Sequence, residues 1–113
     1  MNSISSIARS ALTFASTRLA QSAHNVANVN TDGFQADRTV GREVKNGGVS
    51  ATTVPTYGPA PTYERDGEQV VGSNTELVSE TVDQIGALHH FQAAIALLKT
   101  DQEMTRSLLD IKA

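Results

Sequence analysis

The sequence predicts a mainly α-helical protein: extended N- and C-terminal helices that pair as a helical hairpin or coiled coil, with a small β-rich or irregular insert between them. Three observations carry that reading. Ser3 to Asn28 contains neither Gly nor Pro and repeats apolar residues at helical spacing. The same spacing resumes near Leu77 and runs to Ile111, which at ~1.5 Å per residue makes an element far longer than a compact domain of this size is wide. All three prolines, and Gly41, Gly47, Gly48, Gly58, Gly67 and Gly72, fall between these stretches. The chain therefore divides into 1–33 (leading helix and its closing turn), 34–73 (insert) and 74–113 (trailing helix).

In the first segment Ile4, Ala8, Leu12, Ala15, Leu19, Ala23 and Val26 step by threes and fours, a narrow stripe rich in small residues. Ser3, Ser5 and Ser6 are candidate N-caps. Asn30-Thr31-Asp32-Gly33 is turn chemistry and should close the helix. In the insert, β-leaning runs over Thr39–Lys45 and Val49–Val54 flank Asn46-Gly47, which signals a two-residue hairpin turn. Pro55 to Pro61 excludes a central strand. Glu64-Arg65-Asp66-Gly67 reads as a further turn before Val70-Val71.

The trailing helix opens on Ser73-x-x-Glu76, which has the form of a capping box, with Asn74 as the alternative cap. Beyond it Val82 and Ile85 lead into two neighbouring stripes. One holds Leu88, Phe91, Ile95, Leu98 and Leu109; the other holds Ala94, Leu97, Met104, Leu108 and Ile111. One leading helix cannot cover both, so apolar surface should be left for other molecules. Ile4, Leu12, Leu19 and Val26 are the matching packing residues on the leading helix.

Composition narrows the function. Hydrophobic residues are 39% and aromatics 4%, with no Trp, which is thin material for a bulky core. The net charge of −3 argues against nucleic acid. The leading segment is slightly basic and the trailing one acidic, a weak complementarity that orients more than it stabilises. Without cysteine there is neither a disulfide framework nor a thiolate site. His89 and His90 are adjacent and diverge on a helix, and His24 has no ligand spacing to them, so no metal or cofactor is expected. Glu76, Glu80 and Asp83 share a helical face, which reads as a charged solvated or inter-subunit face rather than an acid/base pair. No catalytic or phosphate-binding motif is present. The N-terminus carries no cleavable signal pattern and no stretch is long and apolar enough to span a bilayer. Only Arg9 and Arg18 decorate the leading helix, weak support for a membrane-surface role.

The most specific string is Ala23-His24-Asn25-Val26-Ala27-Asn28-Val29-Asn30-Thr31-Asp32-Gly33-Phe34. Its plainest reading is a helix end with a hydrogen-bonded turn built from Asn25, Asn28, Asn30, Thr31, Gly33 and Phe34. It resembles the signature of flagellar axial proteins (rod, hook and hook-associated), A-x-N-[IVL]-A-N-x-x-T-x-G-[YF], with His24 where Asn is frequent. Ser73-Asn74-Thr75-Glu76-Leu77-Val78 is similar to the opening of that family's trailing block, with Thr75 where Val is common. Phe91-Gln92-Ala93-Ala94-Ile95 and Lys99-Thr100-Asp101-Gln102-Glu103-Met104 resemble its later parts. The short insert is most like a proximal rod protein. The resemblance implies a non-enzymatic structural subunit of the basal-body rod that polymerises through its terminal helices and transmits torque. It further implies partners among its own copies, other rod and hook-basal proteins and the flagellar export apparatus, and a place in the periplasmic rod reached without signal cleavage. A helical dimer or adaptor that does not polymerise is the competing expectation.

Overall fold

In a computed structural model the protein is described over residues 3–112. Helix α1 spans Ile4–Ala27, and Ser3 is its cap, its Oγ accepting the Ser6 N–H at 3.2 Å. A hairpin of β1 (Asp37–Glu43) and β2 (Val49–Pro55) follows, antiparallel with Glu43 opposite Val49 and Asp37 opposite Pro55. A second hairpin pairs β3 (Thr62–Arg65) with β4 (Glu68–Val71). Helix α2 then runs from Leu77 to Lys112. Two long helices flanking a small β insert is the predicted architecture.

Three local expectations are corrected. Asn46-Gly47 does not form a two-residue turn, because residues 44–48 all lie between Glu43 and Val49. The Gly47 N–H closes a turn on Val44 O at 2.9 Å, and the Val44 N–H bonds Gly48 O at 3.0 Å. The cause is tertiary. Gly48, at φ +95°, abuts α1 so closely that a Cβ there would lie 2.7 Å from Ser10 Oγ. Ser10 Oγ in turn accepts the Val49 N–H at 3.1 Å while donating to Ile7 O at 2.6 Å. Docking onto the helix, rather than the Asn-Gly pair alone, sets the loop.

The two-residue turn instead occurs at Asp66-Gly67, where φ is +55° and +81°. Both central residues with positive φ give the type I′ geometry that suits strand twist. Glu64 and Arg65, expected in the turn, are therefore strand. The third correction is at α2, which begins at Leu77 rather than at a Ser73 cap. Ser73 Oγ takes the Thr75 N–H at 3.1 Å, and Asn74 is committed elsewhere.

The helices run antiparallel, with Asn25 beside Glu80 and Phe14 beside His90. The β1–β2 hairpin packs on the neighbouring face of α1, so that Phe14 and Asn25 meet both the hairpin and α2. A side chain at Gly41 would come within 3.2 Å of the Phe14 ring and 3.1 Å of Val49 Cγ2, so glycine lets ring and hairpin meet. The β3–β4 ribbon packs on no other helix or strand among the described residues.

The molecule measures 79 × 24 × 14 Å, with a radius of gyration of 19.8 Å. A compact chain of this length would have about 13 Å. Its accessible surface of 7966 Å² compares with about 6,000 Å² expected of a compact monomer of this mass. Among the described residues the buried hydrophobics are Ala8, Phe14, Ala15, Ala36, Ala87 and Ala94, five alanines and one ring. That core lies along the helix seam and under the first hairpin.

Candidate assembly surface

Small and polar side chains make the contact between α1 and α2. On α1, Ala8, Ala15, Ser22 and Asn25 are buried, with Arg18 half-buried among them. On α2, Ala87 and Ala94 are buried, with Glu80, Asp83, Gln84 and His90 half-buried. Residues 8, 15, 18, 22 and 25, and residues 80, 83, 87, 90 and 94, lie three, four or seven apart, so each set forms one helical face. Methyl-sized and polar groups at these places allow the helix axes to come close. Ala8 and Ala15 of the predicted leading stripe and Ala94 of the trailing helix lie in this seam. Large residues in the seam would hold the axes apart, and most of them lie outside it.

Asn25, 1% exposed, is the centre of a polar junction. Its Nδ2 donates to Asp37 O at 2.7 Å and to Glu80 Oε1 at 2.9 Å; its Oδ1 accepts from Gln21 Nε2 at 3.2 Å. Thr75 Oγ1 donates to the Asn25 carbonyl at 3.1 Å. One side chain thus ties α1 to the start of β1 and to the first turns of α2. Ser22 Oγ donates to Glu80 O at 3.3 Å and accepts from Gln84 Nε2 at 3.0 Å. Arg18 Nη2 meets Asp83 Oδ1 at 2.8 Å, above the bare backbone of Gly86. The carboxylates Glu80 and Asp83 consequently serve the seam within one molecule, and only Glu76 of the predicted acidic face is exposed.

Asn74 performs a parallel task for the insert. Its Oδ1 accepts the Ala36 N–H at 2.6 Å, and its Nδ2 donates to Thr56 O at 2.9 Å and Gln35 Oε1 at 3.3 Å. The residue predicted as a helix cap is a cross-chain clamp that fixes where β1 begins and β2 ends.

The remaining turn residues act locally. Asn28 Nδ2 donates back to His24 O at 3.0 Å, and Thr31 Oγ1 donates to Asn28 Oδ1 at 2.9 Å. Gly33 takes φ +72°, a left-handed value that favours glycine, and its N–H bonds Val71 O at 2.8 Å. Phe34 packs edge-on to His24, and Asn30 is exposed. Asp32 anchors the second hairpin: it accepts a hydrogen bond from the Tyr63 hydroxyl and pairs with Arg65 Nη1 at 2.9 Å. The bond to Asp32 holds the Tyr63 phenol above its ordinary pKa, partly opposed by Arg65.

The outward surface is apolar where a monomer's is usually not. Of the predicted packing residues, Leu12, Val26, Ile95 and Leu98 are half-buried. Ile4, Leu19, Val82, Ile85, Leu88, Phe91, Met104, Leu108 and Leu109 are exposed. A groove of about 480 Å³ runs beside the seam, lined by Ala15, Ser16, Leu19, Gln84, Ala87, Leu88 and Phe91. Residues 102–111 of α2 are exposed on every side.

Sequence reasoning missed the seam positions Arg18, Ser22, Asp83, Gln84 and His90, and the clamp role of Asn74. A heptad-spaced alignment of small and polar residues was the available signal, but apolar periodicity outweighed it.

A profile of the flagella basal body rod protein family matches residues 6–35, which comprise most of α1 and the turn through Phe34. The resemblance to that family is shown over this segment. No curated protein matches the chain.

Proposed function

We propose that the chain is a structural subunit of the bacterial flagellar basal-body rod, most like a proximal rod protein, which polymerises through its terminal helices and transmits torque. The observation that carries this is the mismatch between a core of five alanines and one phenylalanine and the many large hydrophobics left on the surface. Such a surface marks an interaction site. The accessible surface exceeds that of a compact monomer by about 2,000 Å², whereas a standard interface takes ~800 Å² from each partner. The rod-family match over residues 6–35 supports the same structural role in the basal body.

In this reading α1 and α2 pair as a close-packed antiparallel coiled coil, and their outer flanks meet other subunits of the rod. The partners are copies of the chain, other rod and hook-basal proteins and, in transit, the export apparatus. Export proceeds without cleavage of a signal. No described helix is long and apolar enough to cross a membrane.

The test is Leu108→Asp. Leu108 is 65% exposed, so the substitution should leave the isolated fold unchanged, with melting temperature within a few degrees of wild type. Incorporation into isolated basal bodies, measured by immunoblot, should fall at least tenfold. Incorporation at the wild-type level would refute assembly through this surface.

A further inference from the structure

The two hairpins of the insert are held in different ways. The first is fixed from inside the fold: Phe14 lies beside Gly41, Ser10 Oγ takes the Val49 N–H, Asn25 bonds Asp37 O, and Asn74 bonds the Ala36 N–H and Thr56 O. The β3–β4 ribbon has no such support. It packs on no other helix or strand among the described residues, and within its strands only Val70 is half-buried while the rest are exposed. A two-stranded ribbon is marginal in water by itself, so its place and its order depend on what fastens it.

The fastening is polar and lies on one side. Asp32, in the turn that closes α1, accepts a hydrogen bond from the Tyr63 hydroxyl and pairs with Arg65 Nη1 at 2.9 Å. Arg65 Nη2 donates to the same hydroxyl at 2.7 Å, and its guanidinium carbon stands 5.3 Å from the centre of the Tyr63 ring. Two ribbon side chains thus converge on one carboxylate. A backbone bond from the Gly33 N–H to Val71 O, at 2.8 Å, completes the attachment. Ion pair and phenol both meet solvent, so these contacts hold the ribbon far less firmly than the buried groups hold the first hairpin.

The base of the ribbon is built to pivot. There the Gly72 N–H bonds Pro61 O at 2.7 Å, and a Cβ on Gly72 would stand 3.2 Å from that oxygen. Ahead of Pro61, the residues Tyr57, Gly58, Pro59 and Ala60 make no hydrogen bond to any described residue, and all but Ala60 are exposed. Beyond Gly72, Ser73 and Asn74 are buried and tied down. The ribbon therefore runs from an untethered connector to a fixed point. Between it and the turn lies a cleft of about 330 Å³, walled by Val29, Asn30, Pro61 and Ser73.

We propose that the β3–β4 ribbon is a strap, latched over the closing turn of α1 at Asp32 and pivoting at Gly72, which opens while the α1–α2 seam and the first hairpin stay in place. Opening breaks the Asp32 contacts and the Gly33–Val71 bond. It uncovers the half-buried Val29 and leaves the Asp32 carboxylate free for a cation other than Arg65. Val29, Asp32 and Gly33 all fall in the segment that the rod-family profile matches, so the strap controls access to that turn.

Hydrogen exchange followed by nuclear magnetic resonance on the full-length protein tests this. In wild type the amides of Gly33 and the ribbon should exchange at least about a hundredfold faster than those of Ala15, Ser22, Ala87 and Ala94 in the seam, with little dependence on urea, as befits a local opening. Asp32→Ala should accelerate the ribbon amides about tenfold further, the worth of the lost hydrogen bond and ion pair. Tyr63→Phe with Arg65→Ala removes the same latch from the other side, leaves the turn's own side chains intact, and should give the same acceleration. In both variants the seam amides should keep their chemical shifts. Ribbon amides that exchange together with the seam, at one rate and one urea dependence, would overturn the strap by making ribbon and helices a single unit. Acceleration in D32A without acceleration in Y63F/R65A would overturn the latch and assign the effect to the turn. No acceleration in either variant would overturn it too, and displaced seam shifts would show that the ribbon does not move alone.

Discussion

Replacing Asn25 by Ala should be among the most damaging single changes in this protein, although it deletes only one amide. The side chain donates at 2.7 Å to Asp37 O and at 2.9 Å to the Glu80 carboxylate, and accepts from Gln21 at 3.2 Å, all at a site 1% exposed. A neutral hydrogen bond contributes about 1 kcal/mol net and one to a charged group about 1.5–3 kcal/mol. Truncation also strands the partners, and Glu80 Oε2 is already buried without one. The expected loss is about 3–4 kcal/mol, a large share of the 5–15 kcal/mol or so typical of a domain. Thermal and urea unfolding followed by far-ultraviolet circular dichroism measure it, and the melting temperature should drop by roughly 10–20 °C. The double variant N25A/E80Q removes the stranded charge and should recover at least about 1 kcal/mol of that loss, a coupling that only groups in contact show. An N25A protein within about 0.5 kcal/mol of wild type would refute the junction as the clasp between the helices and the insert.

Two further predictions address features that look alike on paper and behave differently. A Cβ at Gly86 would meet Arg18 Nη2 at 2.9 Å, the mobile end of a long side chain. Gly86→Ala should therefore gain up to about 1 kcal/mol of helix propensity, less the small worth of a displaced surface ion pair, and come out neutral or stabilising; a loss above ~1 kcal/mol would show that the Arg18–Asp83 pair is rigid. Asp32→Asn should lower the Tyr63 phenol towards its ordinary value, read as an earlier rise in phenolate absorbance with pH. The sign follows from the raised phenol: in wild type the Asp32–Tyr63 bond contributes below the unfolded phenol's pKa near 10 and is lost as pH rises through the higher folded value, so the variant's alkaline unfolding should lose that dependence.

Legibility differed by level. The helical termini, the β character of the insert and the leading turn were readable because each rests on local rules: periodicity, absence of Gly and Pro, and the backbone preferences of Asn and Gly. Asn46-Gly47 and Asp66-Gly67 show where local rules stop. Both are hairpin signals, but only the second stands clear of the helices, and only there does the two-residue turn form. At the first, contact of Gly48 with Ser10 imposed a longer loop.

By itself the sequence determined that two long amphipathic helices would leave apolar surface uncovered, since no leading helix of this length can cover two stripes on its partner. Only the tertiary structure decided which faces meet. It placed alanine, serine and paired polar groups in the seam, and it turned Asn25 and Asn74 from local turn and cap residues into bridges between distant segments. Burial and hydrogen-bond satisfaction depend on groups brought together from opposite ends of the chain, and a one-dimensional pattern of side chains does not contain those distances.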